Sequence, residues 1–329
     1  MKRRAALATL GTIGASLALG ARAQQVSLPV IGFLNAASPE RFAHVVRAFR
    51  LGLNEMGYVG DSNVGIEYRW ADDQYDRLPA LATDLVRRRV HVIATGSNLN
   101  AAKAARAATA TIPIVFLIGA DPVKAGLVVS LARPGANLTG ITTLNLELGP
   151  KRLEVLHQLV PTATVLCVLI NPINDPSFIE DNTRRAQAAA RSLGLQIHVL
   201  QASRERDLNN AFSTLAQRRA GGLVITPDTF FSSRSEQLAA LALRHAMPTV
   251  SPYRDFVTAG GLMSYGGSIT DQYRTVGVFT GRILKGERPA DLPVHQAAKV
   301  ELGINMKTAK ALGLTIPQSL RLRADEVIQ

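Results

Sequence analysis

Pro29-Val-Ile-Gly-Phe-Leu34, then Ser38-Pro39-Glu40, then Phe42, Val45, Val46, Phe49 and Leu53 decide how this chain folds. The first run is short, apolar and uncharged, as a buried strand must be. Ser38 reads as an N-cap and Pro39 as a first-turn proline, which predicts a helix opening there. The apolar residues that follow recur at helical spacing until Gly57 stops them. A buried strand feeding a helix is the unit of a parallel sheet.

The unit repeats along the chain. Asn63–Trp70 alternates as a strand, 78–88 reads as a helix, His91–Thr95 as a buried strand, 98–110 as an alanine-rich helix, and Ile112–Ile118 as another strand. A second series starts at Val165–Ile170, with strands again at 196–200, 222–226 and 248–251 and helices at 178–193, 207–218 and 236–245. Ile31 and Ile93 lie 62 residues apart, and Val168 and Ile225 lie 57 apart, so the second half copies the plan of the first. The expected fold is α/β, with two doubly wound parallel-sheet lobes.

Composition narrows the function. Of 329 residues, 47% are hydrophobic and 19% charged, which fits a folded chain of about two domains. The single cysteine, Cys167, excludes an internal disulfide framework and a cysteine-rich metal centre; it falls in mid-strand, where a buried thiol is inert. Six scattered histidines show no His-Glu-x-x-His spacing, and no phosphate loop, dinucleotide fingerprint or nucleophile elbow is present. The formal charge is +12, but residues 1–23 hold four basic residues and no acid, leaving 33 basic against 25 acidic residues, interspersed. That mixing, with only 5% aromatic residues, argues against a nucleic-acid partner. No cofactor or metal is expected.

Residues 1–23 read as a signal peptide. Met1-Lys2-Arg3-Arg4 is the charged start, 5–20 the uncharged, largely apolar stretch, and Ala21-Arg22-Ala23 the cleavage site. The apolar stretch is too short and too rich in Ala, Gly, Ser and Thr to anchor in a bilayer. Cleavage near Ala23 would leave a periplasmic protein beginning at Gln24, and Arg3-Arg4 leaves both the general and the twin-arginine export routes open.

Ligands of open parallel sheets lie beyond the carboxyl ends of the strands. Those ends carry small polar groups here. Thr95-Gly96-Ser97-Asn98 suits a ligand carboxylate, because it joins a strand to a helix whose first amides lack internal partners; an ordinary helix cap is the structural alternative. Ser38 is a similar candidate. Asp228 is the best-placed acid for an ammonium, Asn171 ends a strand of the second half, and Asp121, just before Pro122, either faces the ligand or caps a helix that follows. Tyr253, Tyr265 and Phe230 could wall a flat apolar group, while Trp70 reads as structural.

Long segments also resemble a known family. They include Phe49-Arg-Leu-Gly-Leu-Asn-Glu-Met-Gly-Tyr58, Ile66-Glu-Tyr-Arg-Trp-Ala71, Ile112-Pro-Ile-Val-Phe116, Asp121-Pro-Val and Leu127-Val-Val-Ser-Leu-Ala-Arg-Pro-Gly-Ala-Asn137. Ala259-Gly-Gly-Leu-Met-Ser-Tyr-Gly266 and Leu302-Gly-Ile-Asn-Met-Lys-Thr-Ala-Lys-Ala-Leu-Gly-Leu-Thr-Ile-Pro317 extend the match over nearly the whole mature chain. The sequence resembles the substrate-binding proteins of ABC transporters related to the tryptophan- and tyrosine-binding group. The resemblance implies a type I periplasmic-binding-protein fold with a three-strand hinge. It assigns residues 24–141 with 266–293 to the first lobe and 142–265 with 294–329 to the second. It also implies a small-molecule ligand, an amino acid among the best-known classes, and permease subunits as partners, with membrane contact only through them. A monomer is expected. Two other readings of the cleft are an exported hydrolase, which would need a nucleophile–base pair at the strand ends, and a ligand sensor for a signalling receptor.

Overall fold

The computed structural model describes residues 28–143 and 145–329; the expected signal peptide lies outside the described residues. The first series runs β1 (Val30–Asn35), α1 (Ala43–Glu55), β2 (Gly65–Trp70), α2 (Leu78–Arg87), β3 (Val92–Ser97), α3 (Leu99–Ala108), β4 (Ile114–Ile118) and β5 (Leu138–Thr142). The chain then crosses to α4 (Gly149–Leu159), β6 (Val165–Ile170), α5 (Pro176–Ser192), β7 (Gln196–Gln201), α6 (Glu205–Gln217) and β8 (Leu223–Ile225). It continues through α7 (Thr229–Ser232), α8 (Ser235–Arg244), β9 (Thr249–Ser251), α9 (Arg254–Thr258) and β10 (Met263–Gly266). It returns in α10 (Ile269–Leu284) and β11 (His295–Gln296), and finishes in β12 (Glu301–Asn305), α11 (Met306–Ala311), α12 (Gln318–Arg321) and β13 (Glu326–Ile328).

Two sheets result. The first has the order β11-β5-β4-β3-β1-β2, all parallel, and the second β13-β12-β10-β9-β8-β6-β7, antiparallel only between β10 and β12. The internal orders β5-β4-β3-β1-β2 and β10-β9-β8-β6-β7 are the same, so the pseudo-repeat seen in the sequence is a repeat of topology. Helices cover both faces, which is why β4 is buried throughout, and β1, β3 and β6 all but at one end residue, instead of alternating.

Each sheet has two apolar clusters, one per face. On one face of the first sheet Phe33 meets Phe49 of α1, their ring centroids 5.1 Å apart, and both are fully buried. Full burial of such a side chain is worth about 1.5–3 kcal/mol. α10 closes that face against α1 across two glycines. A Cβ on Gly277 would stand 2.1 Å from the Phe49 carbonyl oxygen, and one on Gly52 1.9 Å from that of Arg274.

Three expectations need correcting. The first helix does not open at Ser38-Pro39: residues 38–42 turn, and α1 starts at Ala43 with no side-chain cap. The strand expected over 91–95 extends through Ser97, so the cap of α3 falls to Asn98, whose side chain accepts from the Ala101 amide. The lobe boundaries also move slightly. Gly266 still pairs with Glu301 in the second sheet, while Thr142, His295 and Gln296 belong to the first. Three crossings therefore join the lobes, after Thr142, after Gly266 and after Gln296.

Candidate ligand-binding cleft

The carboxyl ends of β3 and β4 on one lobe and of β6, β8 and β9 on the other face each other. Between them lies a small, partly enclosed cavity. Ser97, Asn98, Leu99 and Gly119 border it from the first lobe, and Asn174, Phe178, Pro227, Asp228 and Tyr253 from the second. Space for the centre of a water-sized molecule is about 20 Å³, enough for one water. The lobes are closed on each other, and a larger occupant enters only by their opening.

Asp228 is the chemical centre of this cavity. It follows β8, caps α7 by accepting from the Phe231 amide at 3.2 Å, and is 5% exposed. Three side chains also donate to it: Asn171 at 3.2 Å, Asn174 at 2.9 Å, and Tyr75 of the opposite lobe at 2.9 Å. All these donors are neutral, and no basic side chain among the described residues pairs with it. Burial pushes its carboxyl above the ordinary aspartate range, against the pull of the Asn171, Tyr75, Asn174 and Phe231 hydrogen bonds. Tyr75 is raised well above the usual phenol value by its own burial and by the Asp228 charge.

Further contacts cross the cleft. Asn98 donates to the Thr229 hydroxyl at 3.4 Å, Lys103 pairs with Asp175 at 2.6 Å, and Arg234 with Asp73 at 2.6 Å. The Arg234 guanidinium also lies 4.0 Å above the Phe230 ring. Closure is therefore held by ion pairs at the rim and neutral donors around one buried acid at the centre.

The residues singled out in the sequence separate into two groups. Ser97, Asp228 and Tyr253 border the cavity, and Asn171 reaches it through Asp228. Thr95 and Gly96 stand behind it. Gly96 is needed because a Cβ there would lie 2.4 Å from the Asn35 amide nitrogen and 2.9 Å from the Tyr273 oxygen. The Ser97 backbone N–H is not free for a carboxylate, since it donates to Tyr273 at 3.0 Å. Ser38 is half-buried outside the cavity. Asp121 caps its own turn, accepting from the Val123 and Lys124 amides. Tyr265 packs in the second lobe's core and Phe230 sits under Arg234, so Tyr253 is the aromatic wall of the cavity among the three proposed. Trp70 is structural, stacked on Tyr68 at an interplanar angle of 11°. Cys167 is buried in β6, and burial pushes its thiol up to about 11.

Sequence reading missed Tyr75 and Phe178, and it missed Arg152. Arg152 shares the buried stripe of α4 with Val155, Leu156 and Leu159, a place where periodicity calls for an apolar residue. A basic residue in that register is the signal that could have found it.

A two-lobed α/β fold with three crossings and a polar cleft is the architecture of a ligand-binding protein. The profile of the family described as ABC transporter substrate binding protein matches residues 31–328. The chain belongs to that family. Proteins of this family bind small molecules and work with ABC permeases outside the cytoplasm. A curated relative, a tyrosine-binding protein of Clostridioides difficile, is 27% identical over 285 residues, covering 85% of this chain and 78% of that one. Among solved structures, an ABC domain from Streptococcus pneumoniae in complex with L-Trp is 25% identical with a TM-score of 0.80, covering 92% of this chain and all of that one. A conserved domain protein of Vibrio cholerae shares the fold at 24% identity and a TM-score of 0.83, over 91% of this substrate-binding protein and 99% of its own chain.

Proposed function

We propose that this substrate-binding protein captures an amino acid, an aromatic one first, in the interlobe cleft and delivers it to the permease of an ABC importer. The observation that carries the reading is Asp228: a buried carboxylate that meets only neutral donors lacks a cationic partner, which a ligand's ammonium would supply. Tyr253 and Phe178 give the same cavity apolar surface for a side chain, and Ser97 and Asn174 give it polar edges. The names of the relatives support the same ligand class, one being a tyrosine-binding protein and another a complex with L-Trp.

The protein acts without cofactor or metal, as a monomer, and turns nothing over. The family match and the binding-protein relatives support that reading. Export, with cleavage after Ala23, delivers it to the periplasm, and N-terminal sequencing of the periplasmic protein should begin at Gln24. A thermal-shift screen of the twenty amino acids tests the ligand class. A true ligand at one hundred times its Kd adds about 2.7 kcal/mol of stability. A flat screen, or chemical conversion of the bound compound, would refute the reading.

A further inference from the structure

A second buried charge near this cleft lacks an opposite partner. Arg152 is 1% exposed, and its guanidinium donates to the Tyr265 carbonyl oxygen at 2.7 Å, the Asn145 carbonyl oxygen at 3.0 Å and the Asn145 side-chain oxygen at 2.9 Å. Three of its N–H donors are thus engaged, and a guanidinium has five. No carboxylate among the described residues pairs with it. Burial draws it down to about 10, which leaves it cationic at neutral pH. An unpaired buried cation is costly to keep, so its retention asks for a reason.

Asn145 and Thr143 supply one. Arg152 holds Oδ1 of Asn145, which turns Nδ2 of the same amide away from the guanidinium. That Nδ2 is buried without a partner, and so is the Thr143 hydroxyl, on residues 1% and 4% exposed. Both flank Gly119, which borders the cavity. A Cβ on Gly119 would lie 3.4 Å from the Asn145 Cβ and 3.6 Å from the Thr143 oxygen. The missing side chain at Gly119 lets both residues pack directly behind the cavity wall, so their two unpartnered donors lie one residue back from its edge.

We infer that Thr143 and Asn145, backed by the charge of Arg152, form the anionic-group pole of the cleft and hold the carboxylate of the amino acid whose ammonium meets Asp228. This rests on the amino-acid reading above and adds the position of the second charge. Thr143 and Asn145 touch the carboxylate; Arg152 is a positioning residue that orients the Asn145 amide and biases the field toward an anion. A zwitterion then matches two buried charges of opposite sign, each unpaired in the protein alone. Asn145 follows the first crossing and Tyr265 lies in the strand before the second, so Arg152 also ties the pole to the hinge.

Calorimetry with L-tyrosine and with tyramine, the same molecule without its carboxylate, tests the assignment in the intact mature protein. Wild type should favour L-tyrosine by roughly 100-fold, the scale of losing a partner of a buried charged hydrogen-bonded pair. Arg152→Gln should reduce that preference to below about tenfold while changing tyramine affinity little, a pattern that general loosening of the fold does not produce. Thr143→Val, which keeps the side chain's shape, should weaken L-tyrosine about tenfold and spare tyramine; it carries the test if Arg152→Gln does not fold. Unchanged selectivity in the folded variants would overturn this inference and leave the amino-acid reading intact. If wild type does not bind L-tyrosine, the same comparison is made with the amino acid the thermal-shift screen identifies and its decarboxylated amine; failure to bind any of the twenty would overturn both.

Discussion

The phenol of Tyr75, on the first lobe, donates across 2.9 Å to the Asp228 carboxylate of the second. The acid proposed to receive the ligand's ammonium is thus also a contact that holds the lobes together. Binding and closure act on the same carboxylate, so the two are thermodynamically linked.

Tyr75→Phe keeps the buried ring and deletes that contact. A hydrogen bond to a charged group is worth about 1.5–3 kcal/mol, so affinity for L-tyrosine should fall tenfold or more. The loss should appear in the dissociation rate measured by stopped-flow fluorescence, with the melting temperature of the unliganded protein nearly unchanged. An unaltered dissociation rate would mean that the contact does not hold the closed state.

Acid should weaken binding through Asp228. Its folded carboxyl lies above the unfolded value because burial disfavours the charge. The stability owed to its neutral form is therefore present at low pH and is lost as pH rises through that raised pKa. Ligand binding runs the opposite way, since only the ionised carboxylate pairs with an ammonium. Titration calorimetry should show affinity falling about tenfold per pH unit below the Asp228 pKa, with the fall beginning above the ordinary aspartate value of about 3.9. Asp228→Asn should bind weakly and lose that acid limb.

At the rim, Arg234 and Asp73 form an interlobe pair with side chains 12% and 13% exposed. Arg234→Ala leaves the Asp73 charge unpaired in the closed form only, so it should penalise closure by about 2–5 kcal/mol without unfolding either lobe. Small-angle scattering should show a larger radius of gyration for the unliganded variant than for wild type. Equal radii would assign closure to the other cross-lobe contacts.

Much of this architecture was legible because its strands are buried on both faces. Runs such as Val165–Ile170 cannot be mistaken for amphipathic elements, and the order of strands and helices in one half repeats in the other. Local signals failed where tertiary contacts overrode them. Ser38-Pro39 carries the marks of a helix start, yet the chain turns there until Phe42 is buried. Thr95-Gly96-Ser97 looks like a cap, but Asn35 and Tyr273 hold it in the sheet, Tyr273 taking the Ser97 amide. Ser97 and Tyr273 are 176 residues apart in the chain, and no local spacing rule announces such a partner. Tyr273 reaches β3 only through the return of α10.

The candidate site was legible in part. Asp228, Asn171, Ser97 and Tyr253 lie at strand ends, where open sheets bind ligands, and the fold brings them to the cavity or to Asp228. Arg152 was hidden because its helix reads as amphipathic and a lysine and an arginine side by side pass as a solvated edge. Only the stripe it shares with Val155, Leu156 and Leu159 shows that it turns inward.

The crossing of α1 and α10 gives a test of the fold itself. Gly277→Ala would set a methyl group 2.1 Å from the Phe49 carbonyl oxygen, a backbone atom that cannot swing aside. Overpacking of this kind costs about 1–3 kcal/mol, and the melting temperature should fall by several degrees in a thermal scan. Gly286→Ala, which meets nothing within 4 Å but has φ of +100°, separates backbone strain from crowding. If Gly277→Ala melts with wild type, the two helices pack less closely than described.

An amino acid held between the lobes, with its ammonium on Asp228, is the core of the proposed function. The most direct measurement is a crystal structure of the protein grown with L-tyrosine. Density is expected for one tyrosine bordered by Ser97, Asp228 and Tyr253, its ammonium within about 3.2 Å of an Asp228 oxygen. Tyrosine density with the ammonium turned away from Asp228, or a cleft that stays without it at saturating concentration, would contradict that placement.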